Sequence, residues 1–238
     1  MVSTSREPSR ISGMFDRIAY RYDRMNRVLS VGLDQRWRAR GIRELALTGT
    51  EQVLDMCTGT ADLAIKAVTA TGGQAAQVIG VDFAGEMLRL GLDKVRKARL
   101  ADRVHLVRGD ATNVPLPDAS FDAAMVAFGI RNVHNYELGI REFARVLKPG
   151  GRLAVLEFGR PEIPGIKQCY RWYFKYLLPI IGRMGSKHNE AYSYLPASVD
   201  QFPEPDAFAA MLKNHGFATV RTVPLTFGTV YLYIATRG

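Results

Sequence analysis

The chain has 238 residues, and 47% of them are apolar, enough to fill one sizeable core. Its formal charge of +9, from 32 basic against 23 acidic residues, draws it toward anionic partners, and nucleic acid and an anionic membrane surface both qualify. The 2 cysteines, Cys57 and Cys169, lie far apart, which argues against a disulfide framework and for reduced thiols in a cytosol. No apolar run approaches the roughly 18 residues of a membrane span, and Met1 to Arg10 lacks a secretory core, so a soluble or peripheral protein is expected.

In chain order, residues 1–50 read as a helical cover. Phe15, Ile18, Tyr22, Met25, Val28 and Leu29 recur at helical spacings, which predicts two or three helices before any strand. Residues 51–160 then alternate: a strand to Met56, a helix from Asp62 to about Ala70, a strand Val78 to Asp82, a helix from Ala84 to about Lys97 and a strand Val104 to Val107. A fourth strand, Phe121 to Phe128, precedes a helix from about Tyr136 to Leu147. Lys148-Pro149-Gly150-Gly151 is expected to stop that helix, with Arg152 to Phe158 as the fifth strand. Strict alternation implies a parallel sheet with helices on both faces. Residues 161–203 break the pattern as an aromatic and basic helical insertion or lid. Residues 204–238 supply a helix from Asp206 to His215 and two strands, Ala218 to Val223 and Val230 to Thr236, close enough to pair antiparallel. The whole is expected to be one domain.

Val53-Leu-Asp-Met-Cys-Thr-Gly-Thr-Ala-Asp-Leu-Ala64 is a buried strand that turns through small residues straight into a helix, with Asp62 placed to cap it. Val78-Ile-Gly-Val-Asp82 ends a second strand on a carboxylate. A small-residue turn after one strand and an acid at the tip of the next is how a parallel sheet holds a ribose-bearing ligand. The Gly-x-Gly-x-x-Gly spacing of dinucleotide sites is absent, and a loop with one glycine suits a smaller, cationic ligand better than a pyrophosphate. The loop is similar to that of S-adenosylmethionine-dependent methyltransferases, and the layout from Gln52 to Thr236 resembles their class I fold. That is an α/β, Rossmann-like, largely parallel seven-stranded sheet with an antiparallel C-terminal strand. The resemblance implies S-adenosylmethionine as cofactor, with Gly59 in its binding loop, Asp55 near its methionyl part, Asp82 on the ribose hydroxyls and Asp110 near the adenine. No metal is implied. Cys57 reads as a small buried filler.

Three further stretches narrow the likeness: Phe15 to Asn26 (FDRIAYRYDRMN), Val126 to Val133 (VAFGIRNV) and Arg145 to Phe158 (RVLKPGGRLAVLEF). Together with Tyr192-Ser-Tyr-Leu195 they resemble the C-methyltransferases of menaquinone and ubiquinone biosynthesis over almost the full length. Carried over position by position, the family's cofactor contacts fall on Thr60, Asp82 and the Asp110-Ala111 pair. Two positions depart from the pattern. Ala127 replaces a serine and removes its hydrogen bond, and Ala61 replaces the loop's last glycine; Ala61 is expected to have helical angles.

The implied reaction is methyl transfer to a ring carbon of a polyprenylated quinol, the naphthoquinol being favoured over the benzoquinol. Arg131 and Asn132 after the fourth strand, and Tyr22 from the cover, are the implied catalytic residues. Arg131 stays charged, so its part is to steady a phenolate or hold a water rather than to act as base. A structural salt bridge is its alternative, and His134 and His188 are alternative titratable groups. In the insertion, Ile166, Tyr170, Tyr173, Phe174, Leu177, Leu178 and Ile181 share one helical face edged by Lys167, Arg171 and Lys175, with Trp172 nearby. That is the composition of an interfacial helix, so a cytoplasmic enzyme peripheral on the inner face of the membrane is implied. Packing against its own core or in a homodimer is the alternative. Two rival functions remain. A nucleic-acid methyltransferase would suit the charge, although the basic residues are dispersed. A non-catalytic cofactor-binding scaffold would suit Ala61 and Ala127.

Overall fold

Val53 to Met56 and Ala123 to Val126 bury successive side chains, so both faces of these strands must be covered, as in a parallel sheet between helix layers. The computed structural model describes residues 7–70, 77–173, 176 and 190–238. The strands are β1 (Gln52–Met56), β2 (Gln77–Asp82), β3 (Val104–Arg108), β4 (Phe121–Ala127), β5 (Leu147–Phe158), β6 (Phe217–Leu225) and β7 (Val230–Arg237). They form one 7-stranded sheet in the order β3-β2-β1-β4-β5-β7-β6. β1 to β5 pair in parallel, and β7 runs antiparallel to both β5 and β6. The chain builds outward from β1 through β2 to β3, then returns to β4 on β1's other side. The crevice beyond the carboxyl ends of β1 and β4 is where such sheets bind ligands.

The two-residue period of the strands sorts the core into two layers. Leu54, Ala124 and Val155 face Ile140 and Phe143 of α5 (Tyr136–Val146), with Phe208 and Leu212 of the C-terminal helix Pro205–Asn214. Val53, Ala123 and Ala154 face Ala64, Ala67 and Val68 of α3 (Asp62–Ala70), with Trp37 and Ile42 of α2 (Leu33–Glu44). α4 (Gly85–Lys97) is amphipathic and buries Met87, Leu88, Gly91 and Val95.

The amino-terminal cover is two helices, α1 (Pro8–Leu29) and α2, joined by a tight turn in which Val31 and Gly32 take φ of 51° and 77°. α1 lays Phe15, Ala19 and Tyr22 against Ala84 and Met87 beside the crevice. In the insertion, α6 (Ile166–Trp172) and α7 (Glu190–Asp200) are described, while Phe174, Lys175, Leu177, Leu178 and Ile181 of the expected interfacial face, like His188, lie outside the described residues. The helix Pro205–Asn214 is α8. Among the described residues no helix is long and apolar enough to cross a membrane.

One expected boundary moves. The helix was expected to run to about Leu147 and to be stopped by Lys148 to Gly151, with β5 starting at Arg152, but α5 stops at Val146 and Leu147 is already extended, at φ −73° and ψ 142°. Pro149 disfavours helical angles at Lys148. Pairing jumps from Phe121↔Leu147 to Ala123↔Arg152, and Gly150 at φ 76° lies in the bulge that takes up the extra residues.

Candidate active site

Asp55 is 1% exposed within β1 and shapes the loop that follows. It accepts the Thr58 hydroxyl at 2.6 Å and the Ala64 backbone N–H at the start of α3. Burial pushes its carboxyl up to about 7, against the Thr58 hydrogen bond and the field of Arg38. Cys57, Gly59 and Ala61 all have positive φ, 56°, 57° and 63°. The helical angles expected for Ala61 are therefore wrong: the loop needs the left-handed conformation there, and alanine holds it at a cost of roughly 1–2 kcal/mol. Asp62 also departs from its expected role. It is the first helical residue and pairs with Lys94, while Asp55 takes the amide an N-cap would serve.

Asp82 ends β2 with both oxygens anchored, Oδ2 accepting from Gly59 N–H at 2.8 Å and Oδ1 from Ala84 N–H at 2.9 Å. The Phe83 backbone N–H also donates to this carboxylate, which still leaves acceptor capacity for a ligand hydroxyl. Asp110, beyond β3, is exposed and accepts from Thr112 N–H at 2.8 Å. With Ala111, Phe83, Asn132 and His134 it lines a cavity of about 70 Å³ that reaches Cys57, Gly59 and Asp82. The Asn132 Oδ1 atom is buried and without a partner among the described residues. Burial, reinforced by Asp82 and Asp55, holds the Cys57 thiol well above its ordinary pKa, which suits a filler rather than a nucleophile. Gly129 is required because a side chain there would collide with Cys57. Thr60 is 3% exposed, and its hydroxyl donates to Asp23 of α1 at 2.6 Å. It lines a second recess of about 20 Å³ with Asp55, Gly59, Asp62 and Arg38.

Tyr22 lines both of these spaces and a third, an apolar cavity of about 300 Å³ between α1, α2, α6 and α7. Met14, Ile18, Leu29, Trp37, Phe158 and Leu195 supply most of its greasy wall. Burial raises the Tyr22 phenol, while Arg131 pulls it back down. Arg131 is 5% exposed on the short turn Ile130–Asn132, where Nη1 donates to Glu157 at 2.9 Å and to the Phe128 carbonyl, and Nε donates to Ser198 at 3.3 Å. Glu157 is fully buried, and although burial works against a charged guanidinium, this partner keeps Arg131 charged. The salt-bridge alternative for Arg131 is therefore present in the structure, yet the residue also lines the apolar cavity. Phe128 separates the cavities with φ 61° and stacks 4.6 Å from Phe158. Sequence reasoning passed over Phe128, Arg38, Glu157 and Ser198. Glu157 had a usable signal, an acid in an apolar run; Ser198 had none.

Solved structures sharing this fold include S-adenosylmethionine-dependent methyltransferases. One from Thermotoga maritima, described as a possible histamine N-methyltransferase, superposes with a TM-score of 0.66 over 96% of this chain and 100% of its own, at 18% identity. Another, from Aquifex aeolicus, gives 0.62 over 84% and 89% at 19% identity. These likenesses show the fold, that of the class I methyltransferases. Within that class the model of the ubiE/COQ5 methyltransferase family matches residues 3–237, and the chain belongs to this family. A ubiquinone/menaquinone biosynthesis C-methyltransferase of Geobacter sp. (strain M21) is 42% identical over the full length of both chains. One from Syntrophotalea carbinolica is 46% identical over 94% of this chain and 92% of its own, and a demethylmenaquinone methyltransferase of Bacteroides fragilis is 39% identical over 98% and 94%. The crevice suits the cofactor on its own terms: anchored carboxylate lone pairs for ribose, an unused buried amide oxygen, and acids around a space for a sulfonium.

Proposed function

We propose that this enzyme methylates a ring carbon of a polyprenylated quinol, and that its acceptor is a demethylated naphthoquinol. The observation that carries this reading is the apolar cavity of about 300 Å³, which shares Phe15, Tyr22 and Phe128 with the cofactor crevice. A greasy, aromatic-walled space with a few polar groups at one end is complementary to a quinol ring leading into an isoprenoid tail. The naphthoquinol is the acceptor common to the names of both kinds of relative, those named for ubiquinone and menaquinone together and those named for menaquinone alone.

In this reading Asp82 holds the ribose, Asp110 and Ala111 border the adenine, and Asp55, Gly59 and Thr60 shape the methionyl end. The bound cofactor supplies an electrophilic methyl group. Tyr22 and Phe128 then fix the ring's position between the two spaces, and alignment of this kind can supply much of the acceleration. Arg131, charged and pinned by Glu157 and Ser198, steadies the phenolate that develops on the ring oxygen. Its Nη2 makes none of the bonds that fix the guanidinium. Asn132 supports the ring or the adenine through its unused oxygen.

The tail needs a route from a bilayer. α6 buries none of its residues; Tyr170 and, just past its end, Tyr173 line the cavity, while Trp172 is 58% exposed in contact with Tyr176 at 48%, and Ile163, ahead of the helix, is 49% exposed. Lys167 and Arg171 are exposed on the same segment. This supports a peripheral position on an anionic membrane face, at which the tail enters beside α6. The test of the reaction is transfer of labelled methyl from the cofactor, with demethylated naphthoquinol and benzoquinol supplied in parallel. The naphthoquinol should be the better acceptor. Transfer to the benzoquinol alone would reverse the ring assignment, and transfer to neither would leave the scaffold reading standing.

A further inference from the structure

Arg38 is a buried cation for which the roles above have no use. It lies on α2 at 8% exposure and borders both the recess behind the β1 loop and the apolar cavity. Its guanidinium carbon stands 5.6 Å from the centre of the Phe128 ring. The acid paired with it, Asp34, approaches only to 3.8 Å, through an oxygen that already accepts from Gln35 at 2.9 Å. The other Asp34 oxygen accepts from Ser30 at 2.9 Å. The Arg38 Nε is buried with no hydrogen-bond partner among the described residues. Buried donors on charged groups are costly to leave unsatisfied, so an unused one beside a cavity points to a ligand acceptor.

The recess says which acceptor. The charged residues lining it are Asp23, Asp55, Asp62 and Arg38. Lys94 neutralises the first and third of these, with Nζ 2.9 Å from Asp23 and in contact with Asp62. One acid, Asp55, and one cation, Arg38, are left facing a small polar space. That pair is complementary to a zwitterion, the ammonium and carboxylate of an α-amino acid. The apolar cavity has its own cation in Arg131, so the quinol oxygen does not require Arg38.

We propose that Arg38 binds the α-carboxylate of the methionyl end of S-adenosylmethionine through a charge-assisted hydrogen bond, with Asp55 serving the ammonium. The proposal rests on the cofactor crevice assigned above. It is tested by calorimetric titration of the full-length wild type, Arg38→Ala and Arg38→Lys with S-adenosylmethionine and with its decarboxylated analogue, which keeps sulfonium and ammonium but lacks the carboxylate. Arg38→Ala should weaken the parent cofactor about 10- to 100-fold and leave the analogue's affinity unchanged. Arg38→Lys, which keeps the charge and loses the fork, should fall between and remains informative where the alanine variant does not fold. Equal weakening of both ligands overturns the proposal. So does unchanged affinity with lowered turnover, which would assign Arg38 to the acceptor. A wild type that binds neither ligand would instead defeat the cofactor crevice itself.

Discussion

At the residue scale the site depends on buried charge that something else must balance. Burial outweighs the hydrogen bonds of Asp55 and pushes its carboxyl up to about 7. Its folded value lies above the roughly 3.9 of a free aspartate, so its contribution to stability is full below about pH 4 and is lost as pH rises through about 7. Ligand affinity moves the opposite way, since only the ionised acid attracts an ammonium. Affinity for the cofactor should rise several-fold between pH 6 and 8, and Asp55→Asn should flatten that profile; a flat wild-type profile in titration calorimetry would reject the role. Arg131 presents a different balance. Removing it strands Glu157 at 0% exposure, which costs about 3–5 kcal/mol, so Arg131→Ala should lose stability as well as turnover. Arg131→Lys separates the two: kcat should fall at least about tenfold while cofactor affinity is unchanged. Equal loss in both would make Arg131 purely structural. Asp82 was legible in the sequence because an acid at a strand tip is a local pattern. Ala61 was misread because its φ of 63° is imposed by the turn that brings Gly59 N–H onto Asp82, a contact across 23 positions.

At the element scale, α1 is a cover fastened at its edges. Asp16 accepts from Glu86 N–H at 2.9 Å, in the first turn of α4, where a carboxylate also meets the positive end of the helix dipole. Asp23 is held by Lys94 at 2.9 Å, and Lys94 also reaches Thr60 at 3.1 Å in the cofactor loop. Tyr20 contacts Arg89. Tyr22 of α1 lines both of the spaces beneath, so these fastenings bear on how the cofactor is released. Lys94→Ala should speed cofactor release about 3-fold in stopped-flow fluorescence, the scale of a partly exposed ion pair. An unchanged rate would mean the cover is not held by this contact. Helical spacing placed α1, but its fastening was invisible, because Asp23 and Lys94 meet across 71 positions.

At the scale of the whole molecule, the proposed membrane contact falls on the insertion. The exposed Trp172, Tyr176 and Ile163 lie on the segment whose other residues, Tyr170 and Tyr173, wall the apolar cavity. Co-sedimentation with anionic vesicles should be measurable for the wild type and fall about tenfold for Trp172→Ala combined with Ile163→Ser; it should also weaken as salt is raised. Binding that is indifferent to both changes would move the membrane contact elsewhere. Strand alternation, the crevice at the tips of β1 and β2, and the carboxylates lining it were determined by the sequence alone, since the two-residue and helical periods and the small-residue turn are local properties. Which side of the sheet β4 takes, how Phe128 stands between the cofactor crevice and the apolar cavity, and why Arg131 is locked while Arg38 is left with an unused donor were decided only by the tertiary structure. Those outcomes depend on residues far apart in sequence competing for the same buried space and the same few hydrogen-bond partners.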